Sequence, residues 1–196
     1  YQDLSLYFAG EAEQQAETQS SMQSVFILAL LSIFALLAIP LKSYIQPLII
    51  MTAIPFGIVG AIIGHWSNGL MLSLLSLNGI LALSGVVVND SLLLVSRFNA
   101  LRREGMALEN AVIEACTSRL RAVLLTSITT FVGLYPILGE TSIQAQFLIP
   151  AAASLGYGIL FATAITLLLI PALLLIYEDV AGIGARAKKS VLRVTG

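Results

Sequence analysis

The chain has 196 residues, 58% of them apolar and only 11% charged, with a formal net charge of -1. Soluble domains average about 45–50% apolar and about 25% charged residues, so this composition excludes a soluble globular domain. The absence of a basic surplus excludes a nucleic-acid binder, and long unbroken apolar runs such as Ala151 to Tyr177 exclude a barrel of ~10-residue alternating strands.

What remains is an all-α membrane protein. Residues 1–23 form a head that alternates like a strand from Tyr1 to Ala9, turns at Gly10, and continues from Glu11 to Gln23 as a polar, helix-prone lead-in. No domain fits in 23 residues and a lone strand is unstable in water. The head therefore reads as a strand and helix remnant, the end of an extramembrane domain.

A bilayer core needs about 20 mainly apolar residues per helix, and five segments qualify over residues 24–178: about 24–40, 47–66, 70–96, 121–139 and 147–177. Pro40 closes the first, and a six-residue link reaches Pro47, a residue suited to the start of a helix, which predicts a tight hairpin. In the second, Gly57, Gly60 and Gly64 recur at helical spacing, a close-packing signature of membrane helices. Gly133 and Gly158, on the fourth and fifth, are assigned the same role. His65-Trp66 falls at the outer interface, where Trp anchors are common, and the lone His has no neighbouring metal ligand. Phe98, Leu101, Leu108, Val112 and Ala115 approximate one helical face, predicting a cytoplasmic amphipathic helix over about 98–117, interrupted near Gly105. Cys116 reads as a small buried apolar residue. Residues 179–196 form a tail.

The 10 Lys and Arg residues fix an orientation. Lys42 lies between the first two spans, Arg97, Arg102, Arg103, Arg119 and Arg121 between the third and fourth, and Arg186, Lys188, Lys189 and Arg193 after the fifth. The other three exposed regions have none, so the positive-inside rule places the N-terminus outside and the C-terminus in the cytoplasm.

Asp90 lies within the apolar run Gly85 to Val95. An Asp at the centre of a membrane helix costs roughly 2.5–3.5 kcal/mol on insertion scales, and such residues usually face a bundle interior on an ion or proton pathway. Asn78, Gly85, Asn89 and Ser96 share one helical stripe, which Asp90 flanks. Arg119, Ala122, Thr126, Thr130 and Gly133 form a second polar or small face, and Ser154, Gly158, Ala162 and Thr166 a third. These three faces are expected to meet, with Asp90, Thr126 and Thr130 forming a proton-responsive cluster. The competing reading makes Asp90 a protonated hydrogen-bonding link between helices. An intramembrane aspartyl protease would need two carboxylates sharing a site, and bilayer depth offers only Asp90. No nucleophile–base–orienter set, phosphate loop or metal-ligand spacing points to an enzyme.

The runs Gly85 to Val95 and Arg119 to Ser127, followed by Pro136, together with Pro55 to Gly60 and Gly10-Glu11-Ala12-Glu13, resemble the C-terminal half of resistance-nodulation-division (RND) transporters over almost the whole chain. The resemblance implies a proton-driven exporter of the bacterial inner membrane with twelve membrane helices in two repeats, this chain matching the eighth to twelfth. It implies protons as coupling ion and no cofactor. It also implies a homotrimer working with a periplasmic adaptor and an outer-membrane channel, and an N-terminal half carrying a pair of aspartates on the fourth helix. Carried onto this sequence, the tenth-helix relay position, a lysine in drug exporters, falls on Asn89 and the next on Asp90. Thr126 matches the relay threonine and Arg119 the arginine near the cytoplasmic end of that helix. Loss of the lysine and gain of Asp90 mean that the drug-exporter charge scheme does not transfer unchanged. A second expectation, from a different class, is a non-transporting membrane scaffold or assembly fragment.

Overall fold

The computed structural model describes residues 11–194, with side chains over residues 21–180. The strand predicted over residues 1–9 lies outside the described residues. The described chain is helical throughout: α1 (Glu11–Leu41), α2 (Ile45–Met51), α3 (Ala53–Ser67), α4 (Leu74–Arg103), α5 (Leu108–Leu138), α6 (Ile143–Gln146) and α7 (Ile149–Val194). Five stretches are long and apolar enough to cross a membrane: Ser21–Leu41, Ile45–Ser67, Leu74–Arg103, Leu108–Leu138 and Ile149–Val180. The all-α, five-span bundle read from composition is the architecture observed.

The boundaries follow from local chemistry. The lead-in helix is continuous with the first span, because nothing between Glu11 and Leu41 breaks the helix until Pro40. The second span is divided at Thr52. Pro55 has no N–H to offer the Met51 carbonyl one turn back, and the Thr52 hydroxyl donates to the Ile49 carbonyl at 2.6 Å. α3 stops where Gly69 takes a φ of 64°. The Leu70 N–H then reaches the His65 carbonyl at 2.9 Å and the Gly69 N–H the Trp66 carbonyl at 3.2 Å, the paired bonds of a Schellman ending. Ser73 restarts the chain with a capping box: its hydroxyl accepts from the Ser76 N–H and its own N–H donates to the Ser76 hydroxyl. The third span therefore begins four residues later than the apolar run at Leu70.

The amphipathic stretch around residues 98–117 is helical, but it is not an element of its own. No Gly or Pro separates it from the third span, so its first part is the last turns of α4 and its second part the first turns of α5. The interruption falls at Gly105, whose φ of 86° closes a second Schellman ending through Met106 N–H to Leu101 carbonyl and Gly105 N–H to Arg102 carbonyl. Its apolar face turns inward: Phe98, Leu101, Val112 and Ala115 are buried in the larger apolar cluster with Ile50, Val95, Ile170 and Leu174.

The tightest packing joins α3, α4 and α7. A Cβ at Gly60 would lie 2.5 Å from the Phe161 Cβ and 3.0 Å from the Tyr157 carbonyl, and one at Gly64 would lie 2.5 Å from the Tyr157 Cβ. Gly57 and Gly158 back onto Leu83, and Gly79, which the spacing argument passes over, onto the Ala151 carbonyl at 2.5 Å. Backbones this close leave no room for a side chain. Gly133 differs from the glycines it was grouped with: a Cβ there meets nothing within 4 Å.

Candidate functional site

The polar residues at bilayer depth sort into a covered set and an open set. Asp90, half-buried on α4, borders a crevice lined by Ser91, Leu94, Val123, Thr166, Leu167 and Ile170, at the meeting of α4, α5 and α7. Its Oδ2 is buried and has no hydrogen-bond partner. The two hydroxyls in the crevice donate to their own helices, Ser91 to the Val87 carbonyl at 2.9 Å and Thr166 to the Thr163 carbonyl at 3.2 Å. Neither hydroxyl makes a hydrogen bond to the carboxylate, so Oδ2 stands in the crevice without a donor.

The cluster expected from the sequence is not assembled in this way. Thr126 and Thr130 do not line the Asp90 crevice; Thr126 is exposed and donates to the Ala122 carbonyl at 2.9 Å, and Thr130 to the Thr126 carbonyl at 2.7 Å. Asn89 is exposed as well, together with Asn78, Gly85 and Ser96 of its stripe. Arg119 is half-exposed. The reason is angular. Successive helical residues differ by about 100° around the axis, so Asn89 and Asp90 serve different faces of α4, and Thr126 points away from α7 while Ser127 points toward it. The polar residue of another helix that shares the crevice with Asp90 is Thr166.

Three buried polar links escaped the sequence reading. The Ser127 and Thr163 hydroxyls meet at 2.6 Å between α5 and α7. The Gln46 and Asn99 side-chain amides each donate a hydrogen bond to the other's oxygen, at 3.0 and 2.7 Å, between α2 and α4. His65, two residues from the end of α3, is buried between helices: Nδ1 faces the Ala61 carbonyl at 2.9 Å and Nε2 the Ser76 hydroxyl at 2.8 Å. A carbonyl only accepts, so Nδ1 carries the hydrogen and Nε2 is free to accept from Ser76. The only advance signal was the i, i+4 step from Ala61 to His65. Among the described residues no group of three or more His, Cys, Asp or Glu side chains comes together.

Residues 2–178 match the model of the AcrB/AcrD/AcrF family. The chain belongs to that family. It is 35% identical over 166 residues to the cobalt-zinc-cadmium resistance protein CzcA of Cupriavidus metallidurans, covering 85% of this chain and 16% of that protein. It is 26% identical over 189 residues to the multidrug resistance protein MdtC of Pectobacterium atrosepticum, covering 96% of this chain and 18% of that one. The crystal structure of a heavy metal efflux pump superposes with a TM-score of 0.78 at 29% identity, over 87% of this chain and 17% of the pump. The chain thus spans about a sixth of the length of the relatives it matches. The RND resemblance drawn from the motifs stands, and the membrane helices with their efflux-protein relatives place the chain in a membrane.

Proposed function

We propose that this chain is the C-terminal membrane half of a proton-coupled RND exporter and carries part of its proton relay. The observation that supports this reading most is the Asp90 crevice: a carboxylate oxygen held at bilayer depth, shielded from water and given no donor by its neighbours. Such a group is costly to keep for packing alone, and its needs change on taking up a proton. Beside it, Asn89, Thr126 and Thr130 look outward on α4 and α5, the direction from which a first half bearing paired aspartates would approach. In this scheme Asn89, Thr126, Thr130 and Arg119 meet the first half, and Asp90 stands one layer behind them, toward Thr166.

In the proposed setting the protein lies in the bacterial inner membrane, N-terminus periplasmic and C-terminus cytoplasmic, as a homotrimer coupled to an adaptor and an outer-membrane channel. Repeat-built transporters work by moving one half against the other, so this polypeptide on its own does not pump. In the full-length protein, Asp90→Asn and Thr126→Ala are each expected to reduce proton-gradient-driven efflux from everted vesicles at least ~tenfold, a loss typical of a positioned proton-transfer group, with membrane insertion unchanged. Normal efflux in both variants would return Asp90 to the role of a structural link.

A further inference from the structure

At the end of the bundle where α1 turns into α2, a cleft of about 360 Å³ is lined by Leu41, Lys42, Asn99, Arg102, Arg103 and Glu178. Its charge is out of balance. Arg102 is partly committed, donating from Nη1 to the Met106 carbonyl at 2.8 Å and lying 3.7 Å through Nη2 from Glu178. Lys42 and Arg103 are exposed and make no ion pair among the described residues. The ends of α1 and α4 add about half a negative charge each, which still leaves the cleft positive. Asn99 is held by its paired amide hydrogen bonds with Gln46, so one wall of the cleft is rigid.

Lys42 has a second peculiarity. Its φ is 50°, and its N–H closes the end of α1 on the Ala38 carbonyl at 3.0 Å. That position after a helix is normally filled by glycine, because a side chain strains the left-handed backbone. Here a long cation occupies it and lines the cleft. Immediately beyond, Tyr44, Ile45 and Leu48 are exposed apolar or amphipathic side chains, so the cleft adjoins a surface suited to acyl chains, at the depth where headgroups lie.

We propose that this cleft binds the phosphodiester headgroup of an anionic lipid, with Lys42 and Arg103 as the contacting cations and Arg102, fixed by Glu178 and the Met106 carbonyl, as the third. Basic pockets between membrane helices are a recognised mode of headgroup recognition, and a phosphodiester spreads its single negative charge over two oxygens that can accept from several donors. The site is independent of transport and stands or falls without it.

The test uses the full chain purified in detergent and incubated with phosphatidylglycerol, with phosphatidylcholine, or with phosphatidylglycerol plus inorganic phosphate, and counts retained lipid by native mass spectrometry. Phosphatidylglycerol is expected to be retained in preference to phosphatidylcholine, and Lys42→Gly and Arg103→Gln each to lower its retention about fivefold, the worth of one cation at a membrane surface. Arg121→Gln, on exposed α5 surface away from the cleft, should leave it unchanged. Because glycine suits a φ of 50°, Lys42→Gly should lose lipid while its Tm stays level or rises, which separates binding from simple damage to the fold. Retention unaffected by the two cleft substitutions, or lowered equally by Arg121→Gln, overturns the proposal. So does displacement of the lipid by an equal concentration of inorganic phosphate, which would make the cleft a free-anion site.

Discussion

α5 and α7 carry nearly interchangeable stripes. Ala122, Thr126, Thr130 and Gly133 on one, and Ser154, Gly158, Ala162 and Thr166 on the other, are small or hydroxyl-bearing residues at helical repeats. On α7 all four are buried, and its backbone reaches α3 closely enough that Gly57 and Gly158 face the same Leu83 side chain. On α5 Thr130 alone is even half-covered, and Gly133 faces open space. Small residues at regular spacing mark a face that something must approach. Whether this chain supplies that something depends on the geometry of the neighbours. The covered stripe builds the bundle, and the open one is left for a partner, which in the proposed scheme is the other half of the transporter.

The contrast is sharpest in stability. Gly60→Ala, which forces a methyl group against the Phe161 Cβ and the Tyr157 carbonyl, is expected to cost about 1–3 kcal/mol by overpacking. Gly133→Ala on the open stripe is expected to be neutral or slightly stabilising, since Ala gains up to ~1 kcal/mol over Gly in a helix. Equal losses in thermal unfolding of the two variants would erase the distinction between covered and open stripes. His65→Ala should follow, at about 1–3 kcal/mol, because it empties a buried position and removes the acceptor that faces the Ser76 hydroxyl. The smallest effect is the most diagnostic. A double-mutant cycle on Ser127→Ala and Thr163→Val should return a coupling of about 0.6 kcal/mol, typical of interhelical hydroxyl bonds in membranes, while Thr126→Ala and Thr163→Val should be additive. Coupling through Thr126 would mean that α5 is rotated from the position described.

How much of this was legible in the sequence depends on which interaction sets each feature. Span number and helical class follow from hydropathy over stretches of ~20 residues, which no tertiary contact can reverse in a bilayer. The glycines at 57, 60 and 64 were visible because close approach needs a repeat along one helix. Gly79 was not, since it has no repeat partner and is explained only by the Ala151 carbonyl opposite. For the candidate site, the sequence identified Asp90 as exceptional and Thr166 as a member of a special face, yet paired Asp90 with Thr126. Spacing defines faces within a helix but not the rotation of one helix against another. Ser127, one position along from Thr126, took the inward place. The His65 link was hidden because Ser76 is eleven residues away across a turn.

The short connection between α4 and α5 has a mechanical consequence. Residues 104–107 are spanned by the Met106 and Gly105 N–H bonds back to α4, and the Arg102 guanidinium is fastened to the Met106 carbonyl. Such a joint has no slack. Asp90 stands about 20 Å from it along α4 by helical rise, and Phe98, Leu101, Val112 and Ala115 clasp the two helices into one buried cluster next to the joint. In the proposed scheme, an axial shift of α4 answering a change at Asp90 would reach α5 through this fastened joint rather than through a loose loop, as through a connecting rod, and move the open row of threonines.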